Sequence, residues 1–294
     1  MADNYTHRYN ARNALTIAEY TPRNMEAFIL GANGPDPLFC YQMYNPFRVH
    51  DLSRLGSVMH NEKTALFLKN LFTLARTDAQ KDYCLGFLCH YSLDSLIHPY
   101  VNYVTEAYGL PFNIPSGHEY FESALDSLIS KKVSGQDAAR VSYYFPPISR
   151  MHLEQIAYLF KISVDATYPD KVYHASEYVQ AFKDFRLIKN FFYSPKKFKF
   201  AAALAVEKLF GFKEGHVVSH MQPCKRKIQD IPFWLNSGAG LYCSRSIEDI
   251  LNQADFMSAR NISIGLEFFK GIITSDDMME DVGSKSYETG IAVY

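Results

Sequence analysis

The sequence predicts an all-α fold, arranged as a single multi-helix domain over residues 1–294. Three observations favour this fold class. Apolar residues recur at helical spacing along most of the chain, Val/Ile/Thr alternation at strand length is scarce, and no linker divides the chain in two. The polar tail from about residue 276 is expected to be peripheral to this domain.

The predicted helices follow one another in order along the chain. Residues 10–31 have helical periodicity but contain Pro22, which is compatible with two helices around a turn. A helix over 59–78 is expected to open at His60, and the next covers 79–101. Ser116 is a suitable N-cap for the following helix. Further candidates are 149–165, 174–192, 196–211 and 246–271, and 222–241 reads as a long irregular connection anchored by Trp234.

Composition argues against several classes of protein. The formal net charge of −1 disfavours a general nucleic-acid binder, so no stable nucleic-acid partner is expected. The N-terminus lacks the apolar stretch of a secretory signal, and no run of about 18 apolar residues predicts a transmembrane helix. These features predict a cytoplasmic protein, and no oligomeric state is indicated.

The stretch from residue 84 to residue 126 carries ionisable side chains in an apolar setting. His90, Asp94 and His98 fall four residues apart, so a helix presents them on one face. His118 and Glu122 repeat this spacing further along. Isolated charges are costly in an apolar interior, and metal coordination removes that cost. Two such helices facing each other would therefore form a divalent metal site.

Other ligand-type residues precede this stretch. Gly and Pro residues forbid a continuous helix over residues 31–41, so this segment is expected to hold the Asp36 carboxylate at a defined point beside the core. His60 and His7 add two more imidazoles. In chain order the complete set is His7, Asp36, His60, His90, Asp94, His98, His118 and Glu122.

This pattern resembles the zinc-dependent phospholipase C family, whose members are all-helical and hold up to three zinc ions. The likeness rests on the GPD containing Asp36, the Met59–His60 pair, H-x-x-x-D-x-x-x-H from His90 to His98, and H-x-x-x-E from His118 to Glu122. The later WLNS around Trp234 fits the same domain. Each motif is weak alone, and together in this order they are a strong signal.

The resemblance implies a zinc ligand set. Asp36, His60, His90 and Asp94 would surround one ion, and His98, His118 and Glu122 would hold a second. Asp94 would bridge to a third ion shared with His7. Secreted members supply an N-terminal Trp to that third ion, and no Trp lies near the start of this chain. Two zinc ions are therefore expected, and the third site stays open.

The implied activity is hydrolysis of a phospholipid or related phosphoester by metal-activated water. Asp36 is the first candidate to orient or deprotonate the water, and Glu122 is the second. Asp126 and Glu119 are candidates to orient the metal-binding imidazoles. Peripheral contact with a membrane is compatible with a lipid substrate.

Two alternatives remain open. Single-strand-specific nucleases and nucleotide phosphatases share this fold, although they use Asp where this chain has Glu122. A helical binding protein that zinc only stabilises is the other alternative, but structural zinc sites usually contain Cys, and this set contains none.

Overall fold

The fold is all-α, as the sequence predicts. A computed structural model describes residues 4–45, 47–107, 117–135, 147–209, 211, 217–224, 228 and 230–293. Eleven α-helices lie within these residues: α1 (Asn4–Ile17), α2 (Met25–Gly31), α3 (Leu52–Asn61), α4 (Thr64–Leu74), α5 (Asp78–Asn102), α6 (Gly117–Ser134), α7 (Arg150–Thr167), α8 (Ala175–Phe192), α9 (Phe198–Leu209), α10 (Ile247–Phe269) and α11 (Ser275–Val282).

Helix α5 is the centre of the fold. It begins with a capping box, in which the Thr77 hydroxyl accepts a hydrogen bond from the Gln80 amide and the Gln80 side chain reaches back to the Thr77 amide. Nearly every residue from Ala79 to Val101 is buried, as expected for a helix enclosed on all sides. Its most extensive partners are α10 and α2.

The crossing of α2 over α5 requires a glycine. A Cβ atom on Gly86 would overlap the carbonyl oxygen of Phe28. The missing side chain lets the two backbones approach closely, and the chain after α2 is thereby brought against the middle of α5. A short 3-10 helix, Asp36–Cys40, follows this turn.

The first part of the chain confirms one helix expectation and contradicts another. Helix α1 ends at Ile17 and α2 begins at Met25, so two helices do flank Pro22. The single helix expected over 59–78 is wrong. It is broken between α3 and α4 at Lys63, whose φ of 55° lies in the left-handed region. His60 therefore lies in the last turn of α3 and does not open a helix.

The connection over 222–241 is anchored by Trp234, which is fully buried and donates a hydrogen bond from Nε1 to the Arg245 carbonyl at 3.0 Å. Its irregular character is only partly confirmed. Strands β1 (Trp234–Asn236) and β2 (Leu241–Cys243) form a small antiparallel hairpin in which Trp234 pairs with Cys243. Three-residue strands are too short to produce a readable alternation.

The expectation that the chain from about residue 276 is peripheral is wrong. Helix α11 begins with a capping box at Thr274, and the residues beyond it turn back into the core. Tyr287 is 1% exposed, and its ring lies edge-on to His60, His90 and Tyr91. The sequence did not predict this packing, because the segment is polar and a single buried aromatic residue makes no periodic pattern.

Two tyrosines of α5, Tyr91 and Tyr100, are fully buried, and their hydroxyls donate to the Val282 carbonyl and the Asp230 carboxylate. They are core residues. The N-cap expected at Ser116 lies outside the described residues. Among the helices that are described, none is both long enough and apolar enough to span a membrane.

Candidate metal centre

The turn after α2 carries Asp36 into the centre of the molecule. Gly34 has a φ of +49°, a conformation that residues other than glycine rarely adopt. A Cβ atom there would overlap the imidazole ring of His90. The Asp36 amide donates to the Asn33 carbonyl at 3.0 Å, which closes the turn. The carboxylate of Asp36 is thereby held against α5, with only 4% of its side chain exposed.

Four side chains form a first group beneath this turn. One ligand atom from each lies within 4.8 Å of the others. His90 Nε2 is 3.1 Å from Asp94 Oδ2, and His60 Nε2 is 3.4 Å from Asp36 Oδ1. The Nδ1–H of His60 donates to the Gly56 carbonyl at 2.7 Å, which directs its Nε2 toward the carboxylates. The group consists of Asp36, His60, His90 and Asp94.

A second group lies one turn further along α5. It consists of His98, His118 and Glu122, whose ligand atoms also lie within 4.8 Å of one another. Glu122 Oε1 is 3.0 Å from His118 Nε2 and 3.5 Å from His98 Nε2. Asp94 Oδ1 is 3.8 Å from His98 Nε2, so Asp94 lies between the two groups. The His118 side chain is 28% exposed, which makes this end of the cluster the one that faces solvent.

His7 reaches the same cluster from α1. Its Nε2 is 3.4 Å from Asp94 Oδ1 and 3.7 Å from Asp36 Oδ2. Its ring stacks on that of His90, with the centroids 4.7 Å apart. The structure thus brings together all eight side chains that the sequence singles out.

The Asp126 carboxylate holds the start of α1 beside the cluster. Its carboxylate accepts hydrogen bonds from the backbone amides of Tyr5 and Thr6, at 3.0 and 2.8 Å, and from the Thr6 hydroxyl at 2.5 Å. These hydrogen bonds hold the backbone beside His7 and tie α1 to α6. That Asp126 also orients a metal-facing imidazole stays a prediction.

Burial keeps three of the histidines in the neutral form, which is the form that binds a metal. Burial lowers the pKa of His7 and of His98 to about 4, and it lowers the pKa of His90 well below its ordinary value. These imidazoles are neutral near pH 7, which is the form that coordinates a metal. Burial and the neighbouring Asp36 raise the pKa of Asp94 well above its usual range. A bound cation would stabilise the Asp94 carboxylate.

The hydrogen-bond inventory also fits a metal. Several buried ligand atoms have no hydrogen-bond partner among the described residues, namely His7 Nε2, Asp36 Oδ1, His60 Nε2, His90 Nε2, both Asp94 oxygens and His98 Nε2. Buried polar atoms are normally satisfied, so this concentration calls for a ligand. Imidazole nitrogens and carboxylate oxygens are the donors that zinc accepts in catalytic sites. The residues present fit zinc.

Comparison with known proteins agrees with this geometry. A family described as "Zinc dependent phospholipase C" matches residues 6–166, more than half of the chain. The chain belongs to this family. The matched region contains all eight ligand-type residues. Searches of curated proteins and of solved structures find no match.

Two residues beside this ligand cluster could not be recognised from the sequence of this member of the family. Tyr287 covers the rings of His60 and His90. Glu288 places Oε2 3.6 Å from His98 Nδ1. Both follow α11 in a polar segment without helical or strand periodicity, so the sequence carries no signal that could have found them.

Proposed function

We propose that the chain is a zinc-dependent phosphodiester hydrolase that cleaves a phospholipid or a related phosphoester. The observation that carries this proposal is the cluster of imidazoles and carboxylates, in which buried ligand atoms of the first group, of His7 and of His98 lack hydrogen-bond partners among the described residues. The family to which the chain belongs is described by both zinc and phospholipase C activity.

The first group would hold one zinc ion, and the second group would hold another. Asp94 lies between the groups and is the residue able to contact both ions. His7 faces the two aspartates and would serve a third ion if one binds. Bound zinc supplies a water molecule of near-neutral pKa and positive charge against the phosphoryl oxygens.

Asp36 is the residue we assign to orient the attacking water and accept its proton. Its Oδ1 is buried without a hydrogen-bond partner among the described residues, so it is available to a water. His60 Nε2 and His7 Nε2 face its two oxygens at 3.4 and 3.7 Å, so the carboxylate would share bound zinc with these imidazoles. Glu122 is the alternative base, since it lies at the more exposed end of the cluster.

The substrate would approach from the side of α6. His118 and Glu288 have side-chain exposures of 28% and 38%, whereas those of His7, His60, His90, Asp94 and His98 do not exceed 3%. A phosphoryl group entering here meets the second group first. The alcohol and head-group portions would then lie toward solvent.

The test compares a choline-phosphodiester chromogen with single-stranded DNA at equal concentrations of zinc-loaded protein. Cleavage of the choline phosphodiester is expected, and preference for DNA would favour the nuclease alternative. A zinc-loaded chain that cleaves neither would contradict the proposal and favour the non-catalytic alternative.

Asp36→Asn then tests the assigned base. The substitution keeps the shape of the side chain and removes its charge, so the folded state should persist while turnover falls by about 10²–10⁴-fold. Asp170→Asn is the matched control, because the Asp170 side chain is 69% exposed on the surface. An Asp36→Asn variant as active as this control would remove Asp36 from the mechanism.

A further inference from the structure

Residues 284–293 lie beyond the part of the chain that matches the family, yet they pack against the metal centre. The carbonyl of His60 accepts hydrogen bonds from the Tyr287 amide at 2.8 Å and from the Ser286 hydroxyl at 3.0 Å. The Ser286 hydroxyl in turn accepts from the amides of Glu288 and Thr289, both at 3.1 Å. The segment is therefore anchored directly to a ligand-bearing helix.

This anchoring fixes the position of the Glu288 carboxylate. Asn102 Nδ2 donates to Glu288 Oε1 at 2.8 Å. Asn102 follows His98 by four residues on α5, so both side chains lie on one face of that helix. The second carboxylate oxygen, Oε2, consequently points toward His98 and lies 3.6 Å from its Nδ1.

The Nδ1–H of His98 needs a hydrogen-bond acceptor. Nδ1 is buried and has no hydrogen-bond partner among the described residues, while Nε2 faces Glu122 and Asp94. An imidazole that binds a metal through one nitrogen normally donates the other N–H to a carboxylate or carbonyl. His60 follows this rule through Gly56. Glu288 supplies the carboxylate that faces Nδ1 of His98.

We propose that Glu288 is a positioning residue of the second zinc group. It accepts the Nδ1–H of His98 and thereby fixes the tautomer in which Nε2 is free to bind the ion. The 3.6 Å separation is longer than a hydrogen bond, so the proposal requires the two side chains to close this gap when zinc binds. Glu288 also adds a second negative charge beside a group whose only carboxylate is that of Glu122. This inference rests on the proposed zinc function.

The test is a zinc titration of metal-free protein against a competing chelator, with the full chain as wild type, Glu288→Gln and Glu280→Gln. Glutamine keeps the bond to Asn102 and removes the charge. Glu280 is an exposed carboxylate on α11 and serves as the matched control. Glu288→Gln should bind one zinc about 10–100-fold more weakly, with the remaining zinc affinity unchanged. The visible spectrum of the cobalt-substituted variant should change at that same site.

Thermal unfolding of the metal-free proteins separates positioning from a structural effect. Equal Tm values for Glu288→Gln and wild type support the proposal. It is overturned by zinc affinities equal to those of the control, or by equal weakening of every zinc together with a lower metal-free Tm. If wild type binds zinc but cleaves no phosphoester, the proposed function fails, and the affinity comparison still decides the role of Glu288. A wild-type chain that binds no zinc overturns both.

Discussion

Replacing Gly34 with alanine is expected to disrupt the metal centre without removing any ligand-type side chain. The new Cβ atom would overlap the His90 ring and lie 2.6 Å from Nε2, the nitrogen that faces Asp94. The ring has nowhere to move. It is fully buried, stacks on His7 and meets Tyr287 edge-on at a centroid distance of 5.3 Å.

Two costs add in this variant. A left-handed conformation costs a residue with a Cβ atom about 1–2 kcal/mol. Overpacking a filled core costs about 1–3 kcal/mol more. We therefore expect Gly34→Ala to lose about 2–5 kcal/mol of unfolding free energy. Displacement of His90 should also lower the zinc content.

The matched control is Gly271→Ala. Gly271 has a similar φ of +73°, and a Cβ atom there would meet nothing within 4 Å. Gly271→Ala therefore has the cost of the left-handed conformation without the cost of overpacking. The assay is urea unfolding of both variants and wild type, together with zinc per chain. Equal stability and equal zinc content in the two variants would show that Gly34 is not packed against His90 as described.

Three further substitutions test other parts of the structure. Asp94→Ala should strip most bound zinc and abolish phosphodiesterase activity, because Asp94 lies between both ligand groups; full activity in this variant would refute the catalytic role of the cluster. Asp126→Ala leaves the amides of Tyr5 and Thr6 without their acceptor. It should cost about 1–3 kcal/mol in urea unfolding, and unchanged stability would contradict the contact. Tyr287→Ala removes a fully buried ring and should cost about 3–5 kcal/mol, whereas a loss below about 1 kcal/mol would mean that the tail is peripheral after all.

Some parts of the site could be predicted because the spacing of residues along the chain fixes where their side chains lie relative to one another. Residues four apart on a helix share a face, so the alignment of His90, Asp94 and His98 follows from the sequence alone. The turn that holds Asp36 is similarly marked by its Gly and Pro residues.

Features that depend on tertiary packing could not be predicted. The break between α3 and α4 occurs at Lys63, which has a φ of 55° although lysine gives no local signal for it. The role of Asp126 requires knowing that the start of α1 lies beside α6. The contacts of Tyr287 and Glu288 arise where a polar segment returns to α5 from a distant part of the chain.

The zinc content of the protein tests the central claim most directly. The measurement is elemental analysis of full-length protein purified without chelators and without a metal-affinity step. Two ligand groups joined through Asp94 predict two zinc ions per chain, or three if His7 holds another. Zero or one ion per chain would contradict a zinc cluster at this site and, with it, the proposed hydrolase.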